Sequence, residues 1–375
     1  MPEIIIQSSS RSCVVRVGRG FSQPDLSMDR IESDRFVIAD RRVDKIARPW
    51  VVDNRALFLT GGERAKTLGN ALKVVKTLLR MGHERRQPVV AIGGGSVCDL
   101  AGFAAAVYKR GVPLHLVPTT LLAQVDAAIG GKNGVDLPEG KNLLGTIRQP
   151  DTVLVDPMLL TALPEREFSS GLAEVVKCGM IRDAALFELV ERRGSEILAR
   201  EPGVLSEMLV RAITVKVDLV RADEQENGDR ALLNYGHTIG HAIEAACSWR
   251  IRHGEAVSLG MEAAGYLSWK LGLASKEVLA RQTAALRACG LPTSLPGLKV
   301  PAVMEALRHD KKRAGGRARF VLVEDIGRAR HGIEVEDPLI LEAVGVITNP
   351  APREKAAPRT SRARGAPSGR ARPPR

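Results

Sequence analysis

The segment Asn234-Tyr235-Gly236-His237-Thr238-Ile239-Gly240-His241 sets two imidazoles four residues apart. On a helix that spacing puts both on one face, as a two-histidine metal site requires. His253 follows sixteen residues after His237 in Arg252-His253-Gly254-Glu255, so three of the chain's seven histidines cluster here. Glu174 lies upstream in Gly171-Leu172-Ala173-Glu174-Val175-Val176-Lys177, among apolar neighbours. A carboxylate buried in such a stretch must be paired or bound to a cation. Histidine and carboxylate ligands with an open coordination position suit catalytic zinc. Other readings of the same residues stand beside this one. An i, i+4 histidine pair on an apolar helix also serves as a hydrogen-bonded core pair. His241 could be a ligand or an acid–base group, and Glu174 could simply pair with Lys177.

A second group of residues is basic. Lys132, Lys141, Asn142, Lys177, Lys216, Arg230 and the pair Lys311-Lys312 recur beside glycines or apolar helix residues. Gly130-Gly131-Lys132-Asn133 and Glu139-Gly140-Lys141-Asn142 read as loops in which backbone and ammonium can meet one anion together. Any one of these lysines could be a solvated surface residue. As a set beside a metal candidate, they point to a phosphate- or carboxylate-bearing substrate.

The third feature is Gly93-Gly94-Gly95-Ser96, followed by Asp99, between a strand-like run and a small-residue helix. Glycines there let the backbone approach a pyrophosphate, and a helix N-terminus supplies N–H donors. The full G-x-G-x-x-G spacing is absent, and a tight strand–helix connection would read the same way. Asp40 closes an earlier strand, where it could accept from a ribose hydroxyl or act as a turn residue.

These groups need elements to hold them. Residues 35–40, 55–60, 88–92 and 112–117 read as strands, and 66–79 and 99–107 as helices. Alternating β and α with glycines at a strand's carboxyl end predicts a parallel, nucleotide-binding α/β sheet. From about Pro157 onward helical periods dominate: 172–180, 184–191, 204–222, 231–247, 254–270, 276–288 and 302–308. We therefore expect an α/β domain over 1–155, a mainly α-helical domain over 156–345, and a basic tail over 346–375.

Composition narrows the class. With 44% apolar and 26% charged residues the chain is an ordinary globular protein, and with 3% aromatics its cores must be aliphatic. No apolar run reaches the roughly 20 residues of a membrane span, and Met1-Pro2-Glu3-Ile4-Ile5-Ile6-Gln7 lacks the basic start and long apolar stretch of a secretory signal, so none is expected. The five cysteines are scattered and form no C-x-x-C pair, which argues for a reducing compartment and hence a cytoplasmic location. Of the net charge of +12, +7 lies in residues 351–375, a Pro/Ala/Gly/Ser/Arg segment expected to be disordered. Apart from weak contacts of that tail, no nucleic-acid partner is expected.

Together these segments resemble the 3-dehydroquinate synthases, within the sugar-phosphate cyclase superfamily, from about residue 35 to 345. Further matching segments are Lys109-Arg110-Gly111, Val117-Pro118-Thr119-Thr120-Leu121-Leu122-Ala123-Gln124-Val125-Asp126, Arg230-Ala231-Leu232-Leu233-Asn234 and His253-Gly254-Glu255-Ala256-Val257. The resemblance implies an NAD-binding α/β domain, a helical domain, and a site in the cleft between them. It implies Glu174, His237 and His253 as zinc ligands, with cobalt a possible substitute, and His241 as a residue on the substrate-phosphate side. It implies substrate contacts by Asp126, Lys132, Asn142, Lys177, Lys216, Arg230, Asn234 and Lys311, with Lys312 an alternative to Lys311. Arg110 matches an arginine supplied across a homodimer interface. Asp40, Glu63, Lys66, Gly94, Gly95, Ser96, Asp99, Thr119, Thr120, Lys132 and Lys141 match cofactor-side positions. Two departures are a shorter stretch between Asp40 and Glu63 and Ala162 where the family commonly carries Thr.

The activity implied is conversion of 3-deoxy-D-arabino-heptulosonate 7-phosphate to 3-dehydroquinate and phosphate, a lyase step of the shikimate pathway to aromatic amino acids. It runs through transient oxidation by NAD⁺, β-elimination of phosphate, reduction by the same cofactor, ring opening and internal aldol closure. Another cyclase of the superfamily and a metal-dependent polyol dehydrogenase are the competing readings.

Overall fold

The computed structural model describes residues 2–7, 12–21, 34–224, 226, 228–313 and 318–348, with no side chains described at 309–313. The expected tail from 349 onward, and the side chains of Lys311 and Lys312, lie outside the described residues.

The first half is built on a seven-stranded sheet. Its strands are β1 (Glu3–Gln7), β2 (Ser12–Val17), β3 (Phe36–Asp40), β4 (Ala56–Leu59), β5 (Val89–Gly93), β6 (Leu114–Pro118) and β9 (Thr152–Val155). They lie in the order β1-β2-β9-β6-β5-β3-β4, all parallel except the β1–β2 pair. Strands β3, β5, β6 and β9 are buried at every residue, which is why they read as continuous apolar runs rather than alternating ones. The chain runs from β3 out to β4 and then returns to the other side of β3 for β5. That reversal opens a crevice at the carboxyl ends of β3 and β5, the place where open α/β sheets take ligands. Helices α1 (Leu68–Arg80) and α2 (Gly95–Val107) pack in this half.

Helix α2 begins at Gly95, four residues before the expected start, so the glycine turn is part of the helix N-terminus. A side chain at Gly95 would lie 2.9 Å from Ala127 Cβ, which explains the small residue. The segments carrying Lys132, Lys141 and Asn142 read as loops in the sequence. They instead form an antiparallel hairpin, β7 (Lys132–Leu137) and β8 (Gly140–Ile147), with Asn142 held at φ +55°.

The second half is mainly helical: α3 (Glu165–Ile181), α4 (Ala184–Leu198), α5 (Pro202–Ala222), α6 (His237–Ala246), α7 (His253–Lys270), α8 (Lys276–Ala288), α9 (Val300–Arg313) and α10 (Asp337–Thr348). A hairpin, β10 (Arg319–Asp325) with β11 (Arg328–Glu334), precedes α10. Ile347 and Thr348 are buried in α10, so folded structure passes the expected tail start at 346. One apolar cluster runs from the sheet through Val97 and Leu121 to Leu172, Val257 and Val344, so the two halves share a core. No helix among the described residues is long and apolar enough to cross a membrane. All five cysteines are free thiols.

The expected helix over 231–247 is broken. Residues Asp229–Asn234 form a 3₁₀ turn, Gly236 adopts φ +78°, and α6 starts at His237. Only glycine fits there: a Cβ on Gly236 would meet Met261 Cγ at 2.6 Å and Met261 N at 2.9 Å. Gly254, at the start of α7, lies so close to α3 that a Cβ would fall 1.9 Å from the Ser170 carbonyl oxygen. This approach sets His253 beside Glu174. Gly254→Ala should therefore cost about 1–3 kcal/mol of stability by overpacking against rigid backbone. Gly345→Ala, inside α10 with open space around it, should instead stabilise by about 0.4–1 kcal/mol. Urea denaturation of both variants checks the pair; equal effects would contradict this packing.

Candidate active site

Glu174 is the most unusual residue in the fold. It is 1% exposed on α3, and neither carboxylate oxygen has a well-formed hydrogen bond. Three nitrogen groups surround it. Lys177, one turn further along and itself 2% exposed, pairs with Oε2. His237 Nε2 and His253 Nε2 each lie 3.5 Å from Oε1. Ligand atoms of Glu174, His237 and His253 fall within 4.8 Å of one another. A buried carboxylate whose Oε1 faces two imidazole nitrogens, with its other oxygen paired to an ammonium, is a donor set that fits a zinc-like cation.

The charges in this cluster are tightly linked: burial opposes charge on His253, but Glu174 and Glu244 raise its pKa to about 10. Burial opposes charge on Glu174, but Lys177 and the two histidines hold its pKa well below the ordinary value. Burial opposes charge on Lys177 as well, but Glu174 and Asp126 raise its pKa. His237 is pushed well below its ordinary value by burial and by Lys177, so it presents a neutral imidazole, the form that ligates metals. His237 and His241 share the α6 face as their spacing predicts, with ring centroids 5.2 Å apart, and His241 is the exposed member. The alternative in which Glu174 pairs with Lys177 is also realised, within the same cluster.

A cleft of about 640 Å³ opens above this cluster. It brings together Asp99, Asp126, Lys132, Asn142, Lys177, Lys216, Arg230, Asn234, His237, His241 and His253. Asp126 sits on a single π-helical turn, Ala123–Ala127, a local widening common at functional sites. Gln124 anchors that turn by donating to the carbonyls of Pro118 and Asp156. Asp126 accepts from Lys216 on α5, which keeps its pKa below the ordinary value although burial opposes this. Arg230 is 2% exposed and donates to the Gly130 carbonyl at 3.0 Å, tying the 3₁₀ turn to the β7 hairpin.

Glu226 was missed by sequence reasoning. It pairs with Lys132 and accepts from Asn234 Nδ2 at 2.8 Å, and nothing in its acidic segment distinguishes it from a solvated residue. Glu244 was also missed, although its place three residues after His241 on the same helix is a readable signal. It is 6% exposed, 3.4 Å from His253 Nδ1.

The glycine-turn side joins this cleft at Asp99. Lys66, 4% exposed, bonds Asp99 at 2.6 Å and also Asn142. Burial raises the Asp99 pKa to about 6, with Lys66 opposing the rise. Ser96 donates to Glu63 at 2.9 Å, and Glu63 lies 3.3 Å from Lys141. Gly94, Gly95, Thr119 and Thr120 lie at the carboxyl ends of β5 and β6, where Thr120 caps the next turn through Ala123 N. Asp40, at the end of β3, is 2% exposed and paired with Arg42 at 2.7 Å. Arg110 is exposed at φ +61° in a left-handed turn and does not line the cleft.

Removing Lys177 while keeping Glu174 should leave a buried carboxylate short of cations. Lys177→Met should lose about 3–5 kcal/mol in chelator. Zinc should then raise its melting temperature more than it raises the parent's. Calorimetry with and without Zn²⁺ reads this; equal shifts in the two proteins would contradict the cluster's electrostatics.

Comparison with known proteins agrees with this geometry. Residues 56–170 match the family model of the 3-dehydroquinate synthase N-terminal region, and 171–313 that of its C-terminal region. The 3-dehydroquinate synthase of Nostoc punctiforme is 46% identical over 290 residues, 76% of this chain and 80% of that protein. Among solved structures, 2-epi-5-epi-valiolone synthase of Streptomyces hygroscopicus subsp. jinggangensis, with NAD⁺ and Zn²⁺ bound, aligns at a TM-score of 0.83 and 30% identity, covering 91% of this chain and 98% of that one. A 2-deoxy-scyllo-inosose synthase complexed with carbaglucose-6-phosphate, NAD⁺ and Co²⁺ aligns at 0.83 and 28% identity, covering 92% and 99%. Since the two family models together span residues 56–313 and a relative 46% identical is covered over 80% of its length, this chain belongs to the 3-dehydroquinate synthase family.

Proposed function

We propose that this protein converts 3-deoxy-D-arabino-heptulosonate 7-phosphate to 3-dehydroquinate and inorganic phosphate. The observation that carries this reading is the single cleft that joins the Glu174–His237–His253 cluster, a set of lysines and an arginine, and Asp99 below the glycine turn. Glu174, His237 and His253 would hold zinc or cobalt. Asp40, Glu63, Lys66, Gly94, Gly95, Ser96, Asp99, Thr119, Thr120, Lys132 and Lys141 would form the NAD⁺ side. Bound together, these groups supply a reversible hydride acceptor and a Lewis acid.

The chain's own residues then need only hold a doubly anionic substrate in one geometry. Lys132, Lys177 and Lys216 are each matched by a carboxylate, namely Glu226, Glu174 and Asp126. None of these three ammoniums is therefore left alone before substrate arrives. Arg230 and Asn234, with Lys311, would take the substrate carboxylate, while Lys132, Asn142 and His241 would lie toward phosphate. Asp126, between Lys216 and Lys177, would keep those ammoniums oriented.

A homodimer, with Arg110 completing the partner's site, is part of the same reading. The exposed turn at Arg110 and the row Leu68, Leu72 and Leu79 on the outer face of α1 support it. A division near residue 155 and a cytoplasmic location go with it; the free thiols favour the latter.

The test is incubation with the heptulosonate phosphate, Zn²⁺ and NAD⁺ well below the substrate concentration. Phosphate should be released over many turnovers with no build-up of NADH absorbance, and chelation should stop it. Stoichiometric NADH would point to a dehydrogenase. Turnover of an uncarboxylated heptulose phosphate in place of this substrate would point to another cyclase.

A further inference from the structure

His253 is the first residue of α7, and its ring faces two carboxylates through different atoms. Nε2 lies 3.5 Å from Glu174 Oε1, and Nδ1 lies 3.4 Å from Glu244 Oε1. His237 is arranged alike: Nε2 faces Glu174 at 3.5 Å, and Nδ1 lies 3.2 Å from the Tyr235 carbonyl oxygen. Both rings thus turn Nδ1 toward a protein acceptor and Nε2 toward the same point. The two acceptors differ, since one is a neutral carbonyl and the other a buried carboxylate.

We infer that Glu244 is a positioning residue for the metal site: it accepts the Nδ1 proton of His253, fixing the tautomer that leaves Nε2 free to ligate. A carboxylate in that place also makes the imidazole a stronger donor. The inference rests on the metal reading proposed above.

The geometry offers one rival. His241, Glu244 and His253 also place ligand atoms within 4.8 Å of one another, so they could hold a second cation. Both clusters draw on the one His253 ring. Filling both would require an imidazolate bridging two dications, whereas a proton on Nδ1 satisfies Glu244 and leaves Nε2 its lone pair. The tight α6–α7 packing supports a fixed arrangement: a Cβ on Gly260 of α7 would fall 1.9 Å from the Gly236 carbonyl oxygen just before α6.

The test uses Glu244→Ala, the near-isosteric Glu244→Gln and Glu174→Ala as the reference for losing a ligand. Zinc affinity is measured by competition with a chromophoric chelator, metal per chain by elemental analysis, and geometry by the visible spectrum of the cobalt-loaded protein. Melting of the metal-free proteins controls for folding, and Glu244→Gln keeps the test readable if the alanine variant does not fold. Glu244→Ala should bind zinc about 10–100-fold more weakly, still at one ion per chain, with an altered cobalt spectrum. Glu244→Gln should lose less, because its amide oxygen can still accept from Nδ1. Parental affinity in both Glu244 variants would overturn the inference. So would two ions per parent chain falling to one in Glu244→Ala, since Glu244 would then be a ligand. Unchanged zinc binding in Glu174→Ala would instead overturn the ligand set beneath it.

Discussion

A carboxylate taken out of water needs compensating charge, and Glu174 is the place where this fold meets that requirement. Its helix is buried from Ser170 to Ile181, and the side chain is 1% exposed. Compensating charge comes from Lys177 on the same helix and from His253 at the start of α7, while the neutral His237 ring at the start of α6 faces the same carboxylate. Each imidazole needs a backbone that comes very close. Gly236 turns the chain so that α6 can begin at His237, and Gly254 lets α7 begin against the Ser170 carbonyl. The charge requirement thus accounts for the glycines, and the glycines account for the position of the histidines.

The rest of the cleft extends the same pattern. Asp126, Glu226 and Asp99 each face an ammonium, so a strongly basic pocket is kept near neutral until an anion enters. Lys66 joins the two sides, since it contacts both Asp99 on α2 and Asn142 on the β7–β8 hairpin. A ligand at the carboxyl ends of β3 and β5 and one at the histidine cluster would therefore border the same cleft, which Asp99 and Asn142 line. This suits chemistry in which a cofactor must be used and restored without leaving.

Much of this was legible in the sequence, for identifiable reasons. Fully buried parallel strands announce themselves as apolar runs, and β3, β5 and β6 fall within two residues of their expected limits. Glu174 stood out because a charge among apolar helix residues demands a partner. Less legible was whatever depends on contacts distant in sequence. The β7–β8 hairpin read as glycine-rich loops because only Val135 and Leu144 pack into an apolar cluster while Lys132, Asn133, Gly134, Asn142, Gly145 and Thr146 line the cleft, which leaves little apolar alternation. The break at Gly236 was hidden because the apolar period continues across it. Glu226 lay in an ordinary polar stretch, and only the fold brings it to Lys132.

The proposed seat of a cation is the point where Glu174 Oε1 meets the two imidazole nitrogens. Anomalous diffraction at the zinc edge, from crystals grown with Zn²⁺, tests it directly. One strong peak is expected within ligating distance of Glu174, His237 Nε2 and His253 Nε2. A peak between His241 and Glu244, or none near Glu174, would contradict it.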